Sequence, residues 1–191
     1  MSDRYEKRKK LSMIYTAVTV LGILLLVVFF FFQYDFRRYE LYERTDAGFS
    51  ILYPDDWEVK PNTNGAAVVF YSPKTNDLDI LRESVNVVIQ DLRTGNNPLN
   101  LRSYTIKAIE QMKGTFQKSF MVKESASARL GGLPAHRLVF LGKGPDGDLK
   151  YMITWALKDK VAYIVTYTAF DATYDTYEKV GKKMTNSFKL M

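Results

Sequence analysis

The sequence predicts an α+β fold: an antiparallel β-sheet flanked by helices as an α/β/α sandwich, plus one N-terminal transmembrane helix. Three observations carry this. Apolar and aromatic residues alternate with period two in Leu149, Tyr151, Ile153, Trp155, Leu157 and again in Val161, Tyr163, Val165, Tyr167, as half-buried strands require. Leu101, Thr105, Ala108, Ile109, Met112 and Phe116 recur at spacings of three and four, the mark of one helix face. Residues 11–34 contain no charge.

The uncharged run sets the outermost division. As a helix rising about 1.5 Å per residue, residues 12–32 span about 31 Å, close to a hydrocarbon core of roughly 30 Å. The run ends in Phe29, Phe30, Phe31, Phe32, Gln33 and Tyr34, with no small-residue cleavage signal, so it reads as an anchor that stays. Arg4, Lys7, Arg8, Lys9 and Lys10 precede it, whereas the basic residues behind it are diluted by Asp35, Glu40, Glu43 and Asp46. Basic flanks favour the cytoplasmic side. The expected organisation is a cytoplasmic basic tail (1–11), a transmembrane helix (12–33) in the lipid bilayer, a stalk (34–46) continuing the helix, and an extracytoplasmic domain (47–191) on the periplasmic, extracellular or lumenal side.

Within the domain, "FSILYP" and "AAVVFYS" read as strands, each ending at a proline, and "ESVNVVIQDL" as a strand closed by the turn "GNNP". The first helix follows, started by Asn97–Pro98 or Asn100, with Gly114 near its end. Four strands then run through 119–130, 134–141, 149–157 and 160–169. They are joined by "GG", "GPDGD" and "KDK", which is hairpin chemistry. A last helix over 173–187 places Tyr177, Val180, Met184 and Phe188 on one face. Both faces of the hairpin strands are fairly apolar, because Met152, Thr154 and Ala156 lie between the larger residues. Such a sheet needs cover on both sides.

Composition narrows function by exclusion. The chain of 191 residues has no cysteine, so neither a disulfide nor a thiolate metal site is available. Its net charge is +6, half of it before residue 33. The rest is mixed in sign, without the basic run and interleaved aromatics of a nucleic-acid binder. No G-x-S-x-G elbow and no Walker loop occurs. The single histidine, His136, shares a strand face with Leu138 and Phe140 and reads as a hydrogen-bonded, partly buried residue. Asp146 and Asp148 flank Gly147, and Asp77 and Asp79 flank Leu78. A calcium loop needs more oxygen ligands in register, so these read as turn residues. Asp146 and Asp148 stand as the weak metal candidates, and no cofactor is expected. Among the aromatics, Phe170, Tyr174 and Tyr177 sit at a loop–helix junction and form the candidate partner surface, since interfaces favour such side chains.

The order of these elements and their end motifs resembles the PsbP-like family, whose best-known member is an extrinsic subunit of photosystem II. The resemblance is carried by "GFSILYPDDWEV" (48–59), "VVFYSP" (68–73), "ESVNVVIQDL" (83–92), "SYTIKAIEQM" (103–112), "GGLPAHRLVF" (131–140), "YMITWALKDKVAYIVTYTA" (151–169) and "YDTYEKVGKKMTNSF" (174–188). It implies a sheet-and-helix domain without catalysis of its own, docked on or assembling a larger membrane protein complex on the outer or lumenal side of a photosynthetic or respiratory membrane. The photosystem subunit is soluble, whereas the run at 11–34 tethers this chain. The alternative is a free-standing envelope protein that binds a small ligand or a client hydrophobic segment. An enzyme is a third reading, for which no catalytic constellation speaks.

Overall fold

The computed structural model describes residues 13, 15, 16, 18–28, 37–74, 81–93 and 100–191. The chain divides into two compact units, Met1–Phe36 and Arg37–Met191. In the first, the described residues are helical, and their apolar side chains, such as Leu24 and Leu25, are exposed. No helix among the described residues is long and apolar enough to cross a membrane. The expected span at 12–33 reaches into residues outside those described, and the basic residues Arg4, Lys7, Arg8, Lys9 and Lys10 lie wholly outside them.

The second unit holds two antiparallel sheets and two α-helices among its described residues. In chain order these are β1 (Tyr39–Arg44), β2 (Phe49–Pro54), β3 (Glu58–Thr63), β4 (Ala66–Tyr71), β5 (Ser84–Asp91), α1 (Leu101–Phe116), β6 (Met121–Leu130), β7 (Leu133–Lys143), β8 (Asp148–Lys158), β9 (Val161–Phe170), α2 (Tyr174–Ser187) and β10 (Lys189–Leu190). The large sheet runs β3-β4-β5-β9-β8-β7-β6, and the small one β1-β2-β10. The hairpins at β6–β7, β7–β8 and β8–β9 are those the turn signals predict. In the large sheet, the pairing of β5 with β9 joins strands far apart in sequence.

The period-two pattern builds a core on each face of the large sheet. Val68, Phe70, Val85, Val87, Val139, Met152, Ala156, Val165 and Tyr167 point to the side covered by α2 and β2, where Phe49, Ile51, Val180, Met184 and Phe188 complete the cluster. Leu138, Phe140, Ile153, Trp155 and Ala162 point to the other side, beneath α1 and its Tyr104. The two-sided cover is the α/β/α arrangement, with the small sheet sharing one layer with α2. α1 starts where Asn100 caps it, its side-chain oxygen accepting from the Ser103 N–H at 2.9 Å, which satisfies one of the free N–H groups of the first turn.

Three elements depart from the sequence expectation. Residues 39–44, expected in the stalk as helix, form β1. Tyr42 packs edge-on against Phe70 at 5.5 Å, and all six residues pair with β2, so burial and ladder hydrogen bonds outweigh helix continuation. β3 falls in a stretch to which the sequence reading assigns no element, and it contains Pro61. Proline is admitted there because β3 is an edge strand, where a missing N–H costs no ladder bond. The two-residue β10 pairs with β2, too short a strand to signal itself in sequence.

Candidate docking surface

The aromatic junction between β9 and α2 is where the sequence places a partner surface. The two elements are joined by a tight turn in which the Thr173 N–H bonds to the Phe170 carbonyl at 3.1 Å and the Asp171 N–H to the Asp148 carbonyl at 2.9 Å. The turn thereby pins the start of α2 to the β7–β8 loop.

The three predicted residues separate here. Tyr174 is fully buried, which corrects its placement on a partner surface. Its ring lies 4.9 Å from that of Tyr167, and the Tyr167 hydroxyl donates to the Tyr174 carbonyl at 2.7 Å. The Lys150 ammonium sits 4.0 Å from the Tyr174 ring centroid. Burial, before any neighbouring charge, pushes both phenols above the ordinary tyrosine range. The periodicity of α2 placed Tyr174 near a junction without revealing that the sheet below leaves room for a whole ring. Tyr177 is half-buried, edge-on to Trp57 at 5.8 Å, with the Arg37 guanidinium 4.7 Å from its ring. Phe170 is half-buried against the β7–β8 loop, where a side chain on Gly147 would meet it at 3.2 Å.

Asp146 lies exposed in that same loop, closed by a Gly144 N–H to Gly147 carbonyl bond of 2.8 Å, and Asp148 is exposed at the first position of β8. Among the described residues no three acidic or imidazole groups gather as a metal site. Asp77 and Asp79 fall outside the described residues.

His136 is half-buried on the α1 side, with its Nε2 2.9 Å from the Ser125 hydroxyl and its ring 5.2 Å from that of Trp155. Loss of hydration holds its pKa below the usual histidine range. A serine–histidine pair needs a third group to orient the imidazole before it can act as nucleophile and base. Among the described residues no carboxylate bonds to this ring, and the pair reads as a structural contact.

One polar centre escaped the sequence reading. Glu83, only 6% exposed, accepts from the Ser72 hydroxyl at 2.8 Å and from the Thr173 hydroxyl at 2.8 Å. It joins the ends of β4 and β5 to the start of α2. The adjacent Arg82 bonds to the Ser72 and Tyr71 carbonyls at 2.5 and 3.2 Å and pairs with Glu58. An acidic residue at the head of an apolar strand, next to an arginine, was the available signal, but its partners are 11 and 90 residues away in sequence. Equally unannounced is the outer edge of β6, the last strand of the large sheet. Its side chains from Ser125 to Ala128 are small and uncharged.

Comparison with known proteins places this architecture. The domain resembles the solution structure of cyanobacterial PsbP from Synechocystis sp. PCC 6803 (TM-score 0.59, 14% identity, 83% of this chain and 96% of that one). It also resembles LpqN, described as involved in cell envelope biogenesis of Mycobacterium tuberculosis (0.56, 13%, 82% and 92%), and the Ran-binding protein Mog1p of Saccharomyces cerevisiae (0.54, 6%, 81% and 96%). At these identities the likeness is one of fold. No curated protein matches the sequence. The PsbP family profile matches residues 37–190, from two residues before β1 to the end of β10, and on that match the chain belongs to the PsbP family.

Proposed function

We propose that this protein is a non-catalytic, membrane-anchored accessory or assembly subunit whose PsbP domain docks on the outer or lumenal side of a membrane protein complex of a photosynthetic or respiratory membrane. One observation carries the reading: the PsbP domain begins at residue 37, directly behind an uncharged run at 11–34 that is preceded by Arg4, Lys7, Arg8, Lys9 and Lys10. A tether of that kind confines the domain to the membrane surface and raises its effective concentration toward neighbouring membrane proteins. A modest contact surface then suffices, to which the half-buried Phe170 and Tyr177 contribute. Family membership and the lack of a catalytic constellation among the described residues support an accessory role.

The test is co-purification in mild detergent. The full-length chain should hold its complex stably, and a fragment starting at Arg37 should hold it weakly. The fragment must begin there, because starting at Asp46 removes β1. If neither form retains a membrane complex, the docking reading fails and the free-standing envelope protein takes its place. Protease added to right-side-out vesicles should digest the domain and spare a small N-terminal fragment. Recovery of a mature form starting near Gln33 would overturn the anchor.

A further inference from the structure

The described sheets offer three outer strands that begin or end a long run of pairing, and two of them are guarded. β3 carries Pro61 and the left-handed Asn62 (φ 52°). β1 carries Glu40, Glu43 and Arg44, and the Arg44 guanidinium is already bound to Asp46, Asn62 and the Ala67 carbonyl. Proline, charge and distortion are the usual means of keeping a sheet edge from pairing with another chain. β6 differs. Its first third is disturbed by a register shift between Val122 and Glu124, but Glu124 to Leu130 pairs regularly with β7. Inside that stretch lie Ser125, Ala126, Ser127 and Ala128, with neither charge nor proline.

The hairpin phase shows which main-chain groups are free. β6 and β7 are joined by two residues, Gly131 and Gly132, both left-handed (φ 58° and 81°), as a type I′ turn demands. The closing pair Leu130–Leu133 of such a hairpin exchanges hydrogen bonds, and the pairs alternate from there. Ala128–Ala135, Ala126–Arg137 and Glu124–Val139 are therefore bonded pairs. Ser125, Ser127 and Arg129 direct their N–H and C=O groups away from β7. Pro134 stands opposite Arg129, at a position where β7 owes β6 no N–H, which agrees with this phase.

We infer that the outer edge of β6 is a docking site for an extended, acidic segment of a partner protein, added as an eighth strand through Ser125, Ser127 and Arg129. The inference rests on the docking function proposed above and adds a strand edge to its contact surface. Main-chain pairing supplies affinity in this mode of recognition, and side chains supply selectivity. The small side chains at 125–128 admit either face of the incoming strand. The stretch is flanked by Lys123 and Arg129, six residues apart, while its one acid, Glu124, is bound to Arg137 at 2.9 Å. Carboxylates on the partner at that spacing complement the flanks. A second copy of this chain does not. An antiparallel self-pair that keeps both cores on one side joins residues of equal parity. Centred on Ala126 it sets Lys123 opposite Arg129, and centred on Ser127 it leaves them diagonal neighbours. Like charges so placed repel. The exposed Met121 and Val122 offer apolar contact at one end of the strand.

The test uses the full-length chain in detergent and a synthetic extended peptide of alternating threonine and valine with glutamates six residues apart. Amide hydrogen exchange should slow at Ser125, Ser127 and Arg129 on adding the peptide. A peptide with lysine in place of glutamate should bind about tenfold more weakly. Ser127→Pro removes an outward N–H that β7 does not use, so it should keep the fold and lose the peptide, whereas Ser127→Ala should bind as the parent does. Unchanged exchange along β6, equal binding by Ser127→Pro, or protection that appears with protein concentration alone would each overturn the inference. Because the peptide is supplied, this readout is independent of whether the chain co-purifies with a membrane complex.

Discussion

The indole N–H of Trp155 on β8 donates to the hydroxyl of Thr105 on α1 at 3.0 Å. One bond thereby fastens the helical layer to the sheet through a fully buried ring, with Tyr104 at 6.5 Å and His136 at 5.2 Å on its other sides. Trp155→Ala should cost about 3–5 kcal/mol, a large part of the roughly 5–15 kcal/mol that holds a domain together. Thr105→Val keeps the volume and orphans the indole N–H, so it should cost about 1–2 kcal/mol. Urea denaturation followed by tryptophan fluorescence measures both. Equal losses for the two variants would mean that ring packing contributes little.

Gly181 in α2 lies against Tyr167. A Cβ at position 181 would stand 2.7 Å from the Tyr167 Cγ and 3.0 Å from its Cβ. The tyrosine cannot swing aside without giving up the 2.7 Å bond from its hydroxyl to the Tyr174 carbonyl. Gly181→Ala ordinarily gains up to about 1 kcal/mol of helix propensity. Here overpacking of about 1–3 kcal/mol should win, and the melting temperature should fall. A rise would show that α2 is free to lift from the sheet.

Glu83→Ala should destabilise by about 2–3 kcal/mol, since bonds to a charged acceptor are worth about 1.5–3 kcal/mol and the buried Ser72 hydroxyl loses its acceptor. Thr173→Val removes one of the two bonds and should cost less, about 1 kcal/mol. Exchange protection at the first turn of α2 should drop in both variants. If that turn stays protected in Glu83→Ala, the carboxylate does not hold the helix to the sheet.

His136 gives the acid limb of stability a local source. Burial depresses its folded-state pKa, so the folded protein favours neutral imidazole while the unfolded chain takes up its proton near pH 6.5. The contribution is fully present above that pH and is lost as pH falls toward the depressed folded value. Melting temperature measured from pH 7.5 down to 5 should decline, and His136→Gln should decline less over the same window. Parallel curves would mean that the imidazole is as well hydrated folded as unfolded.

What the sequence determined by itself is local. Alternation from Leu149 to Tyr167, with hairpin turns of two or four residues, specifies β6 to β9 and the order in which they pair, because each strand's partner follows it in the chain. Spacings of three and four, with Asn100 as cap, specify α1 and α2. The extreme apolarity of 11–34 sets that run apart from the rest. Tertiary structure decided what depends on distant partners. Tyr39–Arg44 became a strand because β2 offered a free edge and Phe70 a surface for Tyr42. Tyr174 went inside because Tyr167 and Lys150 form its cavity. Glu83 acquired its role from Ser72 and Thr173, and β6 its open flank from its place at the end of the seven-stranded order. Periodicity records which face of an element is buried, since that is a property of its own residues. Which element covers that face, and which strand is left without a neighbour, is settled only when the chain closes on itself.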